Sequence, residues 1–326
     1  MKIILQKHIL IINKNFQYHI INKKNLYFKI ALLIIILYLF SKKNSHNFEF
    51  FFCFCGMGRQ ENLYVRELIS YYMSIGVKKF IFADNNLPNT EKLSDVLQDY
   101  INNGTVDIIE IFGDSYGQGF YNTLYKKYRT RCKWLSFFDF DEYLVMHFEE
   151  SRNITVQEFL ARPLFRNCDA IEFNWLMYTD NNLLYYDNRT LLERFTEPNY
   201  KNYANRFVKS IVRGNLKTPI FRNSVHQPNK FIRLCNSLGK LADYYPDCLI
   251  PPIYKYGYLI HFNTKSAEEY AKKIVRGYPG GYHESPKKRV KLFFKHNKFS
   301  KEKLKVFEDF FNMTFDKYHQ SIDNNI

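Results

Sequence analysis

The sequence predicts an α/β fold: an open, mostly parallel sheet flanked by helices, within a single domain. Two observations predict it. Four apolar segments of strand length alternate with three segments whose apolar residues recur at helical spacing, which is typical of parallel sheets. Acidic residues end the second and the fourth of these strands, at the edge where ligands bind in such sheets.

The first half of the chain carries these elements in regular order. Gly56 and Gly58 are expected to end the first strand, and Gly76 and Gly104 the first two helices. Asn89 or Thr90 is expected to cap the second helix. The strands are predicted at 48–55, 77–84, 105–112 and 133–140, and the helices between them at 61–75, 90–103 and 117–131.

Beyond residue 145 the pattern is less regular. Ser266 is a plausible N-cap and Gly277 a stop for a helix that follows a strand ending near His261. Strands are predicted at 170–178, 206–213 and 253–262, and helices at 264–277 and in a basic C-terminal extension, 286–326.

The net charge of +15 first suggests nucleic acid or an anionic membrane as a partner. Its distribution argues against nucleic acid. Residues 61–264 carry 24 basic and 23 acidic side chains, so the surplus lies at the two ends of the chain. A protein that coats nucleic acid would carry the basic surface on its folded core.

An apolar segment near the N-terminus predicts a membrane anchor. Residues 26–41 are apolar apart from Lys29 and Ser41, and this length is short for a full span. A cleaved signal peptide and a buried helix are the alternatives. Lysines concentrate before the segment, which favours a cytoplasmic segment at 1–25 and a single-pass type II protein of the Golgi or another secretory compartment.

Six cysteines leave the compartment open. Cys53 and Cys55 are expected to share a strand face, whereas Cys235 and Cys248 can pair in an oxidising lumen. No CxxC pair indicates a zinc module. Glycosylation sequons begin at four asparagines, Asn103, Asn153, Asn188 and Asn312.

The segment KWLSFFDFDEYL, residues 133–144, carries the strongest chemical pattern. Asp139 and Asp141 would point to the same side if the strand stayed extended through them. Two hard oxygen ligands suit Mg²⁺ or Mn²⁺ holding a diphosphate. A DxD triplet alone is weak support, because any acidic turn yields one. Neither GxGxxG after the first strand nor GxxxxGK[ST] is present.

Five blocks of sequence carry a family resemblance: RQENLYVRELISYYMSIGVKKFIFADNN, KKYRTRCKWLSFFDFDEYL, LLERFT, KSIVRG and HFNTKSAEEYAKKIVRG. In order and approximate spacing they resemble glycosyltransferase family 92 and related, DxD-containing family-2-like glycosyltransferases. The resemblance covers roughly 50–280. It implies the nucleotide-diphospho-sugar transferase (GT-A) fold, with a catalytic domain at 42–285. It further implies a Mn²⁺ or Mg²⁺ cofactor and inverting transfer of a hexose from a nucleotide sugar, such as a UDP-sugar, to a glycan or glycoconjugate hydroxyl.

The resemblance assigns donor and metal roles by position. Glu61 and Asp84 would lie near the nucleoside of the donor. Asp139 and Asp141 would hold the metal and the ribose-diphosphate, with His261 as a third metal ligand. The segment before Glu61 departs from the family pattern, with Arg and Gln where Lys and Asn are usual.

Inversion requires a general base for the acceptor hydroxyl. Glu193 in LLERFT is the first candidate because its block matches the family, and Asp180 and Glu142 are the others. Pairing of Glu193 with Arg194 or Arg213 is an equally simple explanation of its presence.

Three further residues have open roles. Lys209 and Arg213 can face the diphosphate or be solvated charges, and Trp175 can stack on an acceptor sugar or belong to the core. Two other functions stay open: an inactive relative that binds carbohydrate or acts as a scaffold, and a metal-dependent phosphotransferase on the same type of sheet. The expected partners are the nucleotide sugar, the acceptor glycan and the membrane.

Overall fold

A computed structural model describes residue 30 and residues 47–111, 118–148, 154–217, 219–221, 226–243, 250–277 and 284–315. All strands and helices named below belong to one compact unit, Phe48–Ile326. The predicted segments 1–25 and 26–41 lie, apart from Ile30, outside the described residues. Among the residues that are described, no helix has the length and apolar character needed to cross a membrane.

Nine strands within the described ranges form a mixed sheet. They are β1 Phe50–Gly58, β2 Lys79–Asp84, β3 Val106–Glu110, β4 Cys132–Phe137, β5 Glu142–Met146, β6 Ala170–Met177, β7 Val208–Arg213, β8 Leu234–Cys235 and β9 Gly257–His261. The order across the sheet is β3-β2-β1-β4-β7-β6-β9-β5, and β8 pairs with β6.

The described helices flank this sheet. They are α1 Asn62–Ser74, α2 Leu93–Asn102, α3 Gln118–Tyr128, α4 Val156–Leu160, α5 Leu191–Arg194, α6 Ala267–Arg276, α7 Pro286–His296 and α8 Lys301–Phe311. The predicted helices are confirmed within a few residues. The N-cap of α2 is Lys92 rather than Asn89 or Thr90, because a capping box with Asp95 fixes the start of the helix there.

The first half of the sheet is parallel, as predicted, and the second half is mixed. Strands β1 to β4 pair in parallel, whereas β7 runs antiparallel to β4 and β6, and β5 runs antiparallel to β9. Because β6 also pairs in parallel with β8 and β9, five of the eight described strand pairs are parallel, and the expectation of a mostly parallel sheet is confirmed. Strands β4, β6 and β9 point the same way, so Phe137, Met177 and His261 end at one edge.

Apolar side chains on the two faces of the sheet form separate cores. Phe52 and Phe54 of β1 pack with α1 and α2, while Cys53 and Cys55 face the core that includes α3. This alternation confirms that Cys53 and Cys55 share a face. A third cluster joins α6, α7 and α8, so the basic C-terminal extension packs directly on α6.

Two disulfides lie among the described residues. Cys53 of β1 is bonded to Cys132 of β4, and Cys168 is bonded to Cys235. The expected pairing of Cys235 with Cys248 is therefore wrong, because Cys168 holds the Cys235 sulfur; Cys248 itself lies outside the described residues. Cys55 is a buried free thiol.

Candidate active site

The acidic residues predicted to continue β4 lie in a turn between β4 and β5, residues 138–141, which we call the acidic turn. The backbone N–H of Glu142 donates to the carbonyl of Asp139 (3.1 Å), and the Asp139 N–H donates to Glu142 Oε2 (2.9 Å). The expectation that Asp139 and Asp141 share one face of an extended strand is therefore wrong. The turn itself, and not strand alternation, sets the directions of the two carboxylates.

The phenylalanine between the two aspartates anchors this turn. Phe140 is 1% exposed, and its ring packs on Phe82 with centroids 4.7 Å apart. It also lies against Gly56 and Gly58, where a Cβ would approach the ring to 2.7 Å and 2.6 Å. Gly58 is the last residue of β1, as expected, whereas Gly56 lies inside the strand; both make room on its surface for the ring.

Asp139 lies at the outer side of the turn. Its side chain is 41% exposed, and its Oδ1 is 2.9 Å from the ammonium of Lys209, which is itself buried. Partial burial raises the pKa of Asp139, but the charge of Lys209 outweighs this and lowers it. Asp139 is therefore a carboxylate that stays ionised and accessible to a ligand.

Glu142 lies beneath Asp139 and is fully buried. Its Oε1 is 3.5 Å from the Lys209 ammonium. Burial raises the pKa of Glu142 well above its usual value, and Lys209 opposes this effect only in part. The same two carboxyl groups, with Asp139 the nearer, hold the pKa of Lys209 above its usual value in spite of its burial.

Asp141 lies at the inner side of the turn, where it meets two elements distant in sequence. Its Oδ1 is 3.3 Å from Nε2 of His261, at the end of β9, and its Oδ2 accepts a hydrogen bond from Lys273 of α6 (3.0 Å). Burial raises the pKa of Asp141, but Lys273 and His261 together lower it well below its usual value. Asp141 and His261 are therefore in contact, while Asp139 lies in the same turn with its carboxylate on Lys209; the role of the three as metal ligands stays a prediction.

A cavity of about 420 Å³ opens beside this cluster. On one side lie cations carried by α6 and the residues before it. Arg276 donates to Glu61 Oε1 (2.5 Å), and the ammonium of Lys265 is 3.5 Å from Glu61 Oε2. The lining residues are Gln60, Leu63, Tyr64, Thr90, Glu91, Thr264, Lys265, Glu269, Lys272, Lys273 and Arg276.

The residues of the acidic turn can be tested as metal ligands by their chemistry. Two carboxylates and an imidazole are suitable donors for Mn²⁺. Nδ1 of His261 is buried without a hydrogen-bond partner, and its Nε2 already faces Asp141. Across the described ranges, however, no group of three or more such side chains stands ready as a preformed metal cluster. The donor types fit a divalent cation, with Asp141 and His261 as the pair in contact.

The two residues expected near the nucleoside differ in accessibility. Glu61 lies beside the cavity, held by Arg276 and Lys265. Asp84 is 1% exposed, and its two carboxylate oxygens accept backbone N–H groups of Asn86 (2.9 Å) and Leu93 (2.7 Å). Asp84 therefore shapes the loop after β2, and its role toward a nucleoside stays a prediction.

The block KSIVRG forms most of β7, so its two basic residues lie near opposite ends of one strand. Lys209, near the start of β7, reaches the acidic turn, whereas Arg213, at its end, pairs in register with Trp134 at the other edge. Arg213 donates to the carbonyls of Cys168 (2.5 Å) and Phe165 (2.9 Å) and lies over the Trp134 ring. About 13 Å of strand separates the two residues. This placement argues against the expected contact of Arg213 with the donor.

The candidate bases occupy different surroundings. Glu193 is exposed at the start of α5, where its carboxylate accepts from the N–H (2.8 Å) and hydroxyl (2.7 Å) of Thr190. Those hydrogen bonds lower the pKa of Glu193. Asp180 is buried and paired with Lys303 of α8 at 2.5 Å. The expected pairing of Glu193 with Arg194 or Arg213 is not formed among the contacts described, because Arg194 binds Glu269.

Trp175 lies between the core and the site. It is 9% exposed, and its ring centroid is 4.3 Å from that of His261 and 5.3 Å from that of Phe207. Its Nε1 is buried without a hydrogen-bond partner. Trp175 therefore packs against the candidate metal ligand His261, and stacking on an acceptor sugar stays a prediction.

The sequence analysis missed the cations of α6. Glu269, Lys273 and Arg276 follow at i, i+4 and i+7, so they share one helical face. The available signal was this face of charged residues on the predicted helix. The sequence does not show which partners the charges meet, because Asp141 and Glu61 approach them only in the folded chain.

The sheet and site define a class of protein. Parallel strands ending at an acidic turn, beside a cationic cavity, match the ligand-binding edge of an open α/β sheet, the class of fold that the family resemblance predicts. The chain belongs to glycosyltransferase family 92, since the model of that family matches residues 48–237, more than half of the chain. It is therefore a glycosyltransferase. The matched range ends before His261 and the cations of α6.

Solved structures similar to this chain share little sequence with it. The S. aureus TarS fragment 1-349, solved in complex with UDP-GlcNAc, has 12% identity and a TM-score of 0.36, covering 80% of this chain and 71% of its own. GalNAc-T7 with UDP, GalNAc and Mn²⁺ has 12% identity and a TM-score of 0.35, covering 86% and 58%. Likenesses this weak carry no argument about function. No curated protein matches the sequence.

Proposed function

We propose that this glycosyltransferase moves a hexose from a nucleotide-diphosphate sugar, with UDP-sugars as the first donors to test, to a hydroxyl of a glycan or glycoconjugate. The proposal includes a Mn²⁺ or Mg²⁺ ion and inversion at the anomeric carbon. The observation that carries it is the contact of Asp141 with His261 and with Lys273, a residue that lines the cavity, in the same turn as Asp139.

In this proposal Asp141 and His261 hold the cation, and Asp139 holds the cation or the ribose. A divalent cation at this place stabilises negative charge on the departing diphosphate oxygen. Lys209 and Lys273 keep the two aspartates ionised by lowering their pKa values. The chain thus holds a negative site for the cation between two buried lysines, each of which fixes one carboxylate in place.

The transfer itself is a displacement at the anomeric carbon. The acceptor oxygen forms the new bond while the bond to the diphosphate oxygen breaks and its electron pair leaves with the nucleoside diphosphate. The hydroxyl proton passes to a general base. Glu193 remains our proposal for this base, because it is exposed, whereas Asp180 and Glu142 are buried and ion-paired.

We further propose a secretory location with a type II anchor at 26–41. Two disulfides within the described part of the chain support an oxidising compartment. Asn103, Asn188 and Asn312, which begin three of the sequons, are exposed. The anchor itself rests on the sequence pattern. Expression in a secretory host followed by glycosidase digestion tests both points, and an unglycosylated, fully reduced active protein would contradict them.

A donor screen tests the proposed function. The full-length protein is melted with UDP, UMP and a panel of nucleotide sugars, each with Mn²⁺ and with a chelator. Because a ligand that binds only the folded state raises the melting temperature, the true donor is expected to do so when Mn²⁺ is present. Hydrolysis or transfer of that donor must then be detected. If no nucleoside diphosphate or nucleotide sugar shifts the melting temperature, the proposal fails.

A further inference from the structure

We infer that the cavity beside α6 binds the diphosphate group of the donor through the ammonium groups of Lys265 and Lys273. This assigns two phosphate-binding residues outside the range matched by the family model. The nucleotide part of the inference rests on the proposed function, whereas the diphosphate part rests on the cavity alone.

The first argument is the balance of charge at the inner wall of the cavity. Three cations, Lys265, Lys273 and Arg276, face two carboxylates, Glu61 and Asp141. The charge of Glu269, which also lines the cavity, is already matched by a two-pronged ion pair with Arg194. Glu61 is therefore shared by two cations, Arg276 at 2.5 Å and Lys265 at 3.5 Å, so Lys265 has the longer and weaker contact.

Lys265 is the cation with the weakest partner. It is 6% exposed, yet its ammonium is 3.5 Å from Glu61 Oε2, at the outer limit of a hydrogen bond. Its ammonium nitrogen lies over the ring of Tyr64, 3.6 Å from the ring centroid. Its backbone has φ +53°, a left-handed conformation that costs a lysine free energy and recurs at ligand-binding sites. The ammonium of Lys265 is thus buried next to the cavity.

Neighbouring donors strengthen the anion site. The hydroxyl of Thr264, the residue before Lys265, is buried without a hydrogen-bond partner, and so is Nε of Arg276. Both residues line the same cavity. A buried hydrogen-bond donor without an acceptor costs free energy of folding. A phosphate oxygen can accept from both donors, and its negative charge strengthens these hydrogen bonds.

Lys273 connects this site with the acidic turn. Its ammonium donates to Asp141 Oδ2 (3.0 Å) and to Asn263 Oδ1 (2.6 Å). Lys273 also lines the cavity, so its ammonium lies between the cavity and the acidic turn. A diphosphate lying between Lys265 and Lys273 would therefore be next to Asp141, where the cation is proposed.

The other lining residues suit the remainder of a nucleotide. They include Gln60, Leu63, Thr90 and Glu91, after β1 and β2, and Leu63 is 56% exposed. These residues combine an apolar surface with polar side chains, which is what a base and ribose require. The cavity therefore has cationic residues for phosphates and mixed residues for a nucleoside.

Calorimetric titration of the full-length protein in a chelator, with inorganic pyrophosphate, UDP and uridine as probes, tests the inference. We expect UDP to bind wild type at least about tenfold more tightly than uridine, because charge-assisted hydrogen bonds to the lysines supply the difference. In Lys265→Met and Lys273→Gln, affinity for UDP and pyrophosphate should fall about tenfold each, with uridine affinity unchanged.

Lys272→Met is the matched control. Lys272 lies on the same helix and lines the same cavity, but its side chain is 58% exposed and paired with Glu268. Its loss should change affinity less than about twofold. Melting curves establish that each variant is folded.

The outcomes separate the inference from the proposed function. Pyrophosphate binding that depends on both lysines supports the inference even if no nucleotide sugar is turned over. If UDP binds and both lysine variants keep wild-type affinity for UDP and pyrophosphate, the inference is overturned while the proposed function stands. If pyrophosphate and UDP do not bind wild type in the chelator, the inference is overturned as well.

Discussion

At the scale of single residues, the site depends on carboxyl groups whose burial and partners drive their pKa values apart. Asp139 and Asp141 are held ionised by Lys209 and Lys273, while burial raises the pKa of Glu142. Three carboxyl groups within four residues therefore have different roles. Asp139 is accessible to a ligand, Asp141 is buried against His261 and Lys273, and Glu142 supports the turn from beneath by accepting from the N–H of Asp139.

Glu172 of β6 provides a pH-dependent test of the fold. Burial raises the pKa of Glu172 to about 7, and Gln227 donates to its Oε2 at 2.8 Å. Its protonated form is favoured in the folded chain, so its contribution to stability is full below about pH 4.5 and is lost as the pH rises through about 7. Glu172→Gln should flatten this dependence and stabilise the protein at pH 8 by at most about 3 kcal/mol.

Denaturant unfolding of wild type and Glu172→Gln at pH 5, 6, 7 and 8 measures this difference. Equal slopes of stability against pH in the two proteins would show that Glu172 does not titrate in this range.

Glu193 provides a residue-scale test of catalysis. Its carboxylate completes a capping box with Thr190, and glutamine can fill the same position in such a box. Glu193→Gln should therefore leave the melting temperature nearly unchanged. If Glu193 is the base, kcat should fall by a factor of about 10² to 10⁴. An unchanged kcat and pH profile would assign Glu193 to the helix cap alone.

At the scale of elements, the contact between β1 and the acidic turn decides where the two aspartates lie. Gly56 and Gly58 were expected to end β1; the strand continues through Gly56 and ends at Gly58, and both glycines leave room for the ring of Phe140. The sequence FDFD thus alternates between ligand-facing carboxylates and a buried ring that fixes the turn.

Gly58→Ala tests this contact. The added Cβ would meet the Phe140 ring at 2.6 Å, so the ring must move and the turn with it. We expect a loss of about 1–3 kcal/mol of stability and weaker binding of Mn²⁺ and UDP. Titration of the variant beside Gly119→Ala gives the comparison, since a Cβ at Gly119 in α3 meets nothing within 4 Å. Equal Mn²⁺ affinity in both variants would contradict the role of Phe140.

Element α6 shows how a buried ion pair orients a helix. Glu269 accepts from Arg194 (2.7 and 3.0 Å), Tyr64 (2.6 Å) and Ser266 (2.6 Å). Burial would raise the pKa of Glu269, but these hydrogen bonds lower it to about 2. The helix that carries Lys273 is thus fixed to α1 and α5 by a carboxylate whose hydrogen-bonding capacity is used within the protein.

At the scale of the whole molecule, the C-terminal helices belong to the catalytic unit. Lys303 of α8 is 1% exposed, and its ammonium pairs with Asp180 (2.5 Å) and with Asn182 Oδ1 (3.1 Å), beyond the end of β6. Helices α7 and α8 also pack on α6. The extension therefore holds in place the helix that carries the cavity cations.

Lys303→Met tests that role. It leaves Asp180 as a buried charge without its partner, so we expect a loss of about 3–5 kcal/mol in unfolding free energy. Lys305→Met is the control, since Lys305 lies on the same helix in an exposed pair with Asp309 and should cost less than about 0.5 kcal/mol. Both variants are unfolded chemically. Similar losses of unfolding free energy in the two would show that the C-terminal extension does not stabilise α6 through Lys303.

The sequence predicted the parallel strands, the helices between them and the position of Asp139 and Asp141 after β4, because these follow from periodicity and strand ends; the metal role of His261 came from the family resemblance and stays a prediction. It missed β5 and the antiparallel direction of β7, since pairing direction is set by contacts between distant segments. The cavity cations were missed for the same reason: Lys273 meets Asp141 across 132 residues of sequence. Arg213 was misplaced because the length of a strand separates it from Lys209.

The initial rate of nucleotide-sugar consumption in Mn²⁺, compared between wild type and Asp141→Asn, tests the central claim most directly. Asparagine keeps the shape of the side chain and removes the charge that the proposed cation requires. The account predicts Mn²⁺-dependent turnover by wild type and a loss of at least about a hundredfold in a folded Asp141→Asn variant. Turnover by Asp141→Asn at the wild-type rate would contradict it.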